Sequence, residues 1–459
     1  MRLVVVMVVL LALPFFVLAS SLEPEFLLGG IQVNEPDHAT WVRALERAEM
    51  NTVAVTVYAK QGDWDSSNLW FDPEEPWVVS EIRTAKAAGL KVVLVLRVAL
   101  DHSFSRNRFF WHGMIQPRTE ADVEEWFRRY RGFVAQWAAV AETEGVDVLA
   151  MASELNALTN TLPVDELPAL EEYWTNPEKV DREHERLLEH TVGPSAPPPD
   201  RRYPHYGSLA GYLEQEAVAQ RAWARQTAAL DADDPLAEIN ARRGLLEEHW
   251  RRVVAEARRG YSGRLTYAAN FDQYDKVAFW DALDLIGINA YFPLRRWEIP
   301  GLGAADLAAQ LDAGWRRVLS GIDGFRRSRG LEDRQVLFTE IGYVARANAT
   351  LRPWAGDGLA VLRSGAGERL FDWRAEPADT AERAAAVASL HRVHEEMGGE
   401  MLAGLLYWKL TTVPAHREIE PFVLVLEEGP GADPMLAELA HFTDGGQEHL
   451  RQRLAWLFD

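Results

Sequence analysis

The stretch Gln335-Val-Leu-Phe-Thr-Glu340-Ile-Gly-Tyr343 is a short apolar run that ends in a carboxylate. A second stretch, Val146-Asp-Val-Leu-Ala-Met-Ala-Ser-Glu154-Leu-Asn156, has the same form. A carboxylate at the tip of a buried strand is costly to remove from water unless it has a partner or a chemical task. Glu154 and Glu340 are therefore the first candidates for a functional site.

Apolar, β-branched runs of this kind occur eight times, and most are separated by amphipathic helical patterns. They cover residues 26–33, 52–59, 91–98, 146–155, 265–270, 284–292, 335–343 and 402–410. Such runs are typical of strands that are buried on both faces of a parallel sheet. The alternation predicts an α/β fold, a (β/α)₈ TIM barrel in which Glu154 ends the fourth strand and Glu340 the seventh. A doubly wound open sheet is the alternative, although no Gly-rich phosphate loop follows any strand.

The composition excludes several classes of function. The chain has 459 residues, of which 69 are acidic and 48 basic, and its formal net charge is −21. This charge, without a basic stripe, argues against binding of nucleic acid or anionic lipid and favours a neutral substrate such as a sugar. The chain has no cysteine, which excludes disulfides, thiolate chemistry and cysteine-ligated metal sites.

Two segments lie outside the alternation of strands and helices. Residues 1–19 begin with Met1-Arg2 and are then apolar, which indicates an export signal or, alternatively, an uncleaved membrane anchor. In both cases the barrel domain, residues 20–459, is expected outside the cytoplasmic membrane, in the periplasm or the medium. Residues 158–243, approximately, separate the fourth strand from its helix. We interpret them as a partly helical insertion, either a lid over the catalytic face or a solvated excursion.

Active sites of TIM barrels lie at the carboxyl ends of the strands. Polar and aromatic residues are predicted at that face in addition to the two glutamates, and a set of them on one face is hard to explain by coincidence. They are Tyr58, Arg97, Asn270, Asn289, Tyr291, Tyr343 and Trp408.

Several motifs carry a family resemblance, including Trp111-His-Gly-Met-Ile115, Ala152-Ser-Glu154-Leu155, Ala290-Tyr-Phe-Pro293 and Phe338-Thr-Glu-Ile-Gly-Tyr343. On these motifs the chain resembles clan A glycoside hydrolases, and most closely glycoside hydrolase family 113, the β-mannanase-like barrels. The resemblance covers most of the chain outside the leader and the insertion. It implies a retaining β-glycosidase that acts on a β-linked hexose polymer or oligosaccharide, with mannan-type substrates favoured, and that needs no metal or other cofactor.

The resemblance also implies roles for individual residues. Glu154 would protonate the leaving glycosidic oxygen, and Glu340 would attack the anomeric carbon. This chemistry needs the two carboxyls about 5 Å apart, with one kept protonated near neutral pH and the other ionised. Tyr291 would donate a hydrogen bond to Glu340, and Trp408 would form the floor of the sugar site. Further candidates for contact with substrate are Trp111, Asn156, Asn289 and Tyr343.

The third strand departs from the family pattern. Members of the family tend to have Lys-Pro-His where this chain has Leu96-Arg97-Val98, with Asp101-His102 a little later. The resemblance then suggests that Arg97 replaces the lysine and that His102 supplies the imidazole. The departure keeps other interpretations open: the glutamates form barrel-end ion pairs, or the barrel binds polysaccharide or a cell-surface partner without catalysis. Transglycosylation would use the same residues as hydrolysis.

Overall fold

The computed structural model describes residues 25–72, 75–107, 110–117, 119–160, 191–192, 235–296, 298–299, 301–354, 359–363, 369–373, 377–429 and 431–443. The predicted leader, residues 1–19, and most of the predicted insertion lie outside the described residues. The interpretations of both segments therefore stay predictions.

Eight parallel strands form the centre of the molecule. In chain order they are β1 (Leu27–Gln32), β2 (Thr52–Gln61), β3 (Lys91–Leu100), β4 (Val148–Ser153), β5 (Arg264–Asn270), β6 (Leu285–Asn289), β7 (Gln335–Ile341) and β8 (Leu402–Thr411). Each strand pairs with its neighbours in sequence, and β1 pairs with both β2 and β8. This closure confirms the (β/α)₈ barrel and excludes the open sheet.

Helices surround the barrel. They are α1 (His38–Arg47), α2 (Pro76–Ala87), α3 (Glu120–Thr143), α4 (Asn156–Asn160), α5 (Pro235–Gly260), α6 (Ala304–Arg329) and α7 (Ala381–Glu396). One long helix begins at a clear sequence signal. In α3, Thr119 and Asp122 form a reciprocal capping box. Between β5 and β6 the structure has two 3₁₀-helices, Tyr274–Lys276 and Trp280–Ala282, in place of an α-helix.

A small second sheet joins three segments that the sequence did not predict as strands. Leu359–Arg363 pairs antiparallel with Arg369–Trp373, which pairs in parallel with Thr191–Val192. The sheet therefore connects the segment that follows β7 with a piece of the predicted insertion. Strands of two to five residues carry too little periodicity to be distinguished from loops.

The hydrophobic core has two layers. A small cluster fills the barrel interior, with side chains from alternate positions of the strands, and a large cluster lies between the barrel and the helices. The interior cluster comprises Leu27, Ile31, Ala54, Val93, Val95, Val148, Ala150, Leu285, Leu337, Ala403 and Leu406. Trp408, near the carboxyl end of β8, packs against both clusters and covers the interior layer at the face where the candidate site lies.

The strands approach each other closely at glycine. A Cβ atom on Gly29 of β1 would lie 1.8 Å from the carbonyl oxygen of Thr52 at the start of β2. Only glycine allows this contact between β1 and β2. In the part of the chain that the structure describes, no helix is long and apolar enough to cross a membrane.

Candidate active site

Glu154 lies in a turn that follows β4 directly. Its φ angle is 51°, in the left-handed region that non-glycine residues rarely adopt. The turn is held by two hydrogen bonds: the Glu154 N–H donates to the carbonyl oxygen of Ala268 (2.9 Å) and the Leu155 N–H to the hydroxyl of Tyr267 (2.9 Å). Strained backbone that its surroundings enforce is common at functional sites. The turn fixes where the Glu154 carboxyl emerges from the strand.

Glu340 lies on β7, and its carboxyl has two donors. Tyr291, two residues beyond the end of β6, donates its hydroxyl to Oε2 at 2.8 Å, and Arg97 on β3 donates from Nη2 to Oε1. Glu340 is only 3% exposed. A buried carboxylate needs such donors to remain ionised. The hydrogen bond from Tyr291 is the contact that the sequence predicts, although the residue's role in the reaction is untested.

Gly342 lets the chain after Glu340 approach β8. A Cβ atom at this position would lie 2.6 Å from the carbonyl oxygen of Trp408 and 3.4 Å from the ring of Tyr291. The glycine in the Phe338–Tyr343 motif is therefore required by its surroundings, because any larger residue would push Trp408 or Tyr291 away from Glu340.

Arg97 connects the groups of the site. Its Nη2 also donates to the Ser153 hydroxyl at 3.2 Å, and its guanidinium lies 4.6 Å from the ring centroid of Trp408. Arg97 is 6% exposed. The sequence predicted a cation near the site at this position, and the structure places it between Glu340, Ser153 and Trp408. The predicted ion pair of a barrel-end glutamate with Arg97 is also present.

Asn289 ties strands β4, β6 and β7 together beneath the two glutamates. Its Nδ2 donates to the Ser153 hydroxyl at 3.3 Å, and its Oδ1 accepts from the Thr339 hydroxyl at 2.8 Å. Asn289 is fully buried, so its contacts are with the protein. In this structure the amide orients the residues around the carboxyls, and a contact with sugar hydroxyls stays a prediction.

The pKa of the Glu154 carboxyl is lowered from its ordinary value of 4.5. Burial raises the pKa, but a hydrogen bond and the charge of His112, the charge of Arg97 and a hydrogen bond from Asn289 outweigh burial. A general acid must carry a proton. The surroundings in the site without substrate therefore favour the ionised form, contrary to the expectation that they keep this carboxyl protonated.

His112, rather than His102, supplies the imidazole beside the site. His112 Nε2 lies 3.2 Å from Glu154 Oε2, whereas His102 is exposed on the turn after β3. The imidazole beside Glu154 thus belongs to His112, and a contact of His102 with substrate stays a prediction. The signal for His112 was present in the Trp111–Ile115 motif.

Trp111 has the exposure that a substrate contact requires. Its side chain is 38% exposed, and its ring meets the imidazole of His112 edge-on at a centroid distance of 5.1 Å. Trp408 is partly buried, and the ammonium of Lys409 lies 4.3 Å from its ring centroid in addition to Arg97. Both tryptophans stay predicted sugar contacts.

Tyr343 and Asn156 differ in how accessible their side chains are to a substrate. Tyr343 is fully buried in the core between the barrel and the helices, so the prediction that it touches substrate is corrected: its ring is a packing element. Asn156 begins α4 and is partly buried, and its Oδ1 has no hydrogen-bond partner among the residues that the structure describes. A sugar hydroxyl at Asn156 stays a prediction.

Together, the site contains two carboxylates at the ends of opposite strands, a cation and a phenol on one of them, and an imidazole on the other. The charge of Glu154 contributes, after burial, to raising the pKa of Tyr291, the residue that donates to Glu340. The charge of one carboxyl therefore acts on a hydrogen-bond donor of the other. Within the described ranges, no group of three or more His, Asp or Glu side chains is arranged to hold a metal ion.

A closed (β/α)₈ barrel with two glutamates near the carboxyl ends of β4 and β7 is compatible with a glycoside hydrolase, and a family match shows that the chain is one. The model of Glycoside Hydrolase Family 113 matches residues 32–161 and 237–360. The chain therefore belongs to glycoside hydrolase family 113, and it is a glycoside hydrolase whose substrate is carbohydrate.

Solved structures agree on the fold. The GH113 β-mannanase AaManA from Alicyclobacillus acidocaldarius, solved in complex with ManMIm, superposes with a TM-score of 0.56 at 16% identity, covering 92% of this chain and 98% of that one. A GH113 β-1,4-mannanase gives the same TM-score at 17% identity, covering 92% and 99%. Similarities this distant support the fold alone. No curated protein sequence matches the chain.

Proposed function

We propose that this protein is a retaining β-glycoside hydrolase that acts on a β-linked hexose polymer or oligosaccharide, with mannan-type substrates favoured. The observation that carries the proposal is the pair of carboxyls on β4 and β7 with unlike partners: Glu340 has Arg97 and Tyr291 as donors, and Glu154 has His112. Unlike environments for two carboxyls are the usual basis for dividing acid and nucleophile roles.

In the first step, the ionised Glu340 attacks the anomeric carbon and forms a glycosyl-enzyme ester. The glycosidic bond breaks as Glu154 transfers its proton to the leaving oxygen. In the second step, Glu154 accepts a proton from water, which attacks the anomeric carbon and releases Glu340. Arg97 and Tyr291 hold one orientation of the Glu340 carboxylate through both steps, which lowers the cost of alignment.

The lowered pKa of Glu154 fits this cycle when substrate binding changes the surroundings of the carboxyl. A glycosidic oxygen that replaces His112 as the partner of Glu154 removes the hydrogen bond that lowers the pKa. The pKa would then rise, because burial would be opposed by fewer contacts, namely the charges of His112 and Arg97 and the hydrogen bond from Asn289. A larger fraction of Glu154 would be protonated when the leaving oxygen is in place.

The preference for mannan-type substrates is supported by two structural neighbours, a GH113 β-mannanase and a GH113 β-1,4-mannanase. Trp408 supplies an aromatic face on which the apolar side of a hexose stacks, and Trp111 supplies a second one at the edge of the site. Neither ring distinguishes one hexose from another.

The test is the intact mass of the protein after incubation with an activated 2-deoxy-2-fluoro-mannoside. We expect one sugar to be attached to the wild type and none to Glu340→Gln. The matched control is Glu420→Gln, which removes a nearby carboxylate near Lys409 and is expected to label normally. If the wild type takes up neither this reagent nor its gluco and galacto counterparts, the retaining mechanism is wrong and the barrel that binds without catalysis is favoured.

The acid role has its own test. Glu154→Gln is expected to slow hydrolysis of substrates with a poor leaving group far more than those with an activated phenol, which needs no proton. An equal loss on both kinds of substrate would remove Glu154 from the role of acid.

We further propose that the protein acts outside the cytoplasmic membrane. The proposal rests on the apolar stretch within residues 1–19. N-terminal sequencing of the protein expressed with its full leader shows whether the leader is cleaved, and cell fractionation then distinguishes an uncleaved membrane anchor from retention in the cytoplasm.

A further inference from the structure

An exposed pair of stacked aromatic rings lies beside the site and takes no part in the proposed chemistry. The indole of Trp354 is 45% exposed and stacks on the ring of Phe271, with centroids 5.3 Å apart and planes inclined by 18°. Phe271 in turn meets Phe292 edge-on at 5.6 Å, and Phe292 is 8% exposed within the core. Trp354 is thus supported from the core outward, and almost half of its surface remains exposed. We call Trp354 and Phe271 the aromatic platform.

The platform lies on the catalytic face of the barrel. Phe271 directly follows β5, Phe292 follows the end of β6, and Trp354 belongs to the segment after β7. These are the carboxyl ends of the strands, where Glu154 and Glu340 also lie. Partial burial raises the pKa of Asp272, the residue after Phe271, and the negative charge of Glu154 raises it further. The platform segment is therefore within electrostatic reach of Glu154.

The segment that carries Trp354 is fixed in place. The buried carboxylate of Glu382 accepts hydrogen bonds from the N–H groups of Asn348 (2.7 Å) and Thr350 (3.0 Å), and it pairs with Arg295 at 2.7 Å. The carbonyl oxygen of Thr350 accepts from Leu294 at 3.0 Å. Binding of a ligand to Trp354 would thus cost little additional ordering of the backbone.

We propose that the aromatic platform is a sugar subsite, which takes a β-linked hexose ring on the leaving-group side of the scissile bond. The inference rests on the proposed function and extends it to a site beyond the two glutamates. The apolar face of the hexose stacks on the exposed part of the Trp354 indole. The guanidinium of Arg352, 5.9 Å from the Trp354 ring centroid, and the carboxyl of Asp272 flank the rings with groups that hydrogen-bond to sugar hydroxyls.

The side of the scissile bond is inferred from Phe271 and Asp272, since Trp354 itself follows β7, the strand of Glu340. Phe271 follows β5, the neighbour of β4, which bears the predicted acid Glu154, and the charge of Glu154 acts on Asp272. The leaving oxygen lies against the acid, and the sugar beyond it lies on the same side. Arg97 and Trp408, by contrast, are grouped with Glu340. A chain that crosses the site from Trp408 past Glu154 reaches the platform after the cleaved bond.

The experiment compares Trp354→Ala with Trp77→Ala. Trp77 is 44% exposed, but it lies on the outer helix α2 and is therefore a matched control. We expect kcat/KM for β-1,4-mannohexaose to fall roughly tenfold in Trp354→Ala, because losing about 1.4 kcal/mol of stacking is a factor of ten. For an activated aryl β-mannobioside, which has no sugar on the leaving-group side, we expect no change. Trp354→Phe should restore most of the loss, and Trp77→Ala should behave as the wild type.

Two outcomes overturn the inference alone. One is unchanged cleavage of the hexaose by Trp354→Ala. The other is an equal fall on both substrates, which would mean a structural role. A third outcome overturns the proposed function as well. In that outcome the wild type cleaves none of four substrates: mannohexaose, the aryl mannobioside, cellohexaose and the aryl glycosides of the cello series. Calorimetric titration of Glu340→Gln with mannohexaose and cellohexaose gives a check without catalysis. If the aromatic platform binds sugar, the double variant Glu340→Gln/Trp354→Ala should bind these ligands more weakly than Glu340→Gln does.

Discussion

Replacing Arg97 by methionine should reveal how strongly the site depends on one buried ion pair. The guanidinium donates to the Glu340 carboxylate, and the two side chains are 8% and 4% exposed. Methionine keeps the length and the packing against Trp408 but removes the charge. Glu340 would keep only Tyr291 as a donor.

The magnitude follows from burial. Exposed ion pairs contribute at most about 1 kcal/mol, but removing one member of a buried pair leaves an unpaired charge and costs about 3–5 kcal/mol. We therefore expect Arg97→Met to lower the free energy of unfolding by about 3 kcal/mol or more. In the Glu340→Gln background the same substitution should cost about 1–2 kcal/mol, because only hydrogen bonds of a neutral amide and of Ser153 are lost.

The assay is a double-mutant cycle of urea unfolding midpoints and slopes, with the wild type, both single variants and the double variant. The matched control is Arg295→Met, which breaks the buried pair with Glu382 and should show no coupling to Glu340→Gln. If Arg97→Met cost the same in both backgrounds, Arg97 and Glu340 would not interact in the way the structure indicates. In kinetics, we expect Arg97→Met to reduce kcat/KM by about 100-fold, since a loss of nearly 3 kcal/mol of alignment is that factor.

Three further predictions concern single side chains. His112→Leu removes a hydrogen bond and a charge that lower the pKa of Glu154. A higher pKa keeps the acid protonated to higher pH, so the basic limb of the pH profile of kcat/KM should move to higher pH. A basic limb that stays in place or moves to lower pH would contradict the role of His112. Glu81 is 1% exposed, and burial raises its pKa from 4.5 to about 7. The folded protein then binds this proton more tightly than the unfolded chain does. The free energy of unfolding is therefore highest below about pH 4.5, and it falls by roughly 3 kcal/mol as the pH rises to about 7. Glu81→Gln should abolish this slope in unfolding experiments across that range, and an unchanged slope would refute the assignment. Glu382→Ala removes the carboxylate that accepts hydrogen bonds from the N–H and hydroxyl of Thr350 and from Arg295, so the free energy of unfolding should fall by about 3–5 kcal/mol. A change below about 1 kcal/mol in thermal or urea unfolding would contradict this expectation.

The sequence was informative wherever a property is local. Strands that are buried on both faces produce unbroken apolar runs, so eight strands were visible, and their ends were correct within one to three residues. The carboxyl ends of parallel strands share one face, which placed Glu154, Glu340 and Tyr291 near each other before any coordinates. The small sheet of Leu359–Arg363, Arg369–Trp373 and Thr191–Val192 was missed because such short strands have no distinctive pattern.

The sequence by itself determined the barrel and the strand positions of the two glutamates, because apolar periodicity and strand order are written in neighbouring residues. Only the tertiary structure decided which side chains meet. Arg97 contacts Glu340 across 243 positions of the chain, and His112 rather than His102 reaches Glu154. It also turned Tyr343 into the core and stacked Trp354 on Phe271. Such contacts depend on the closure of the barrel and on the direction of each loop, and no local pattern encodes either.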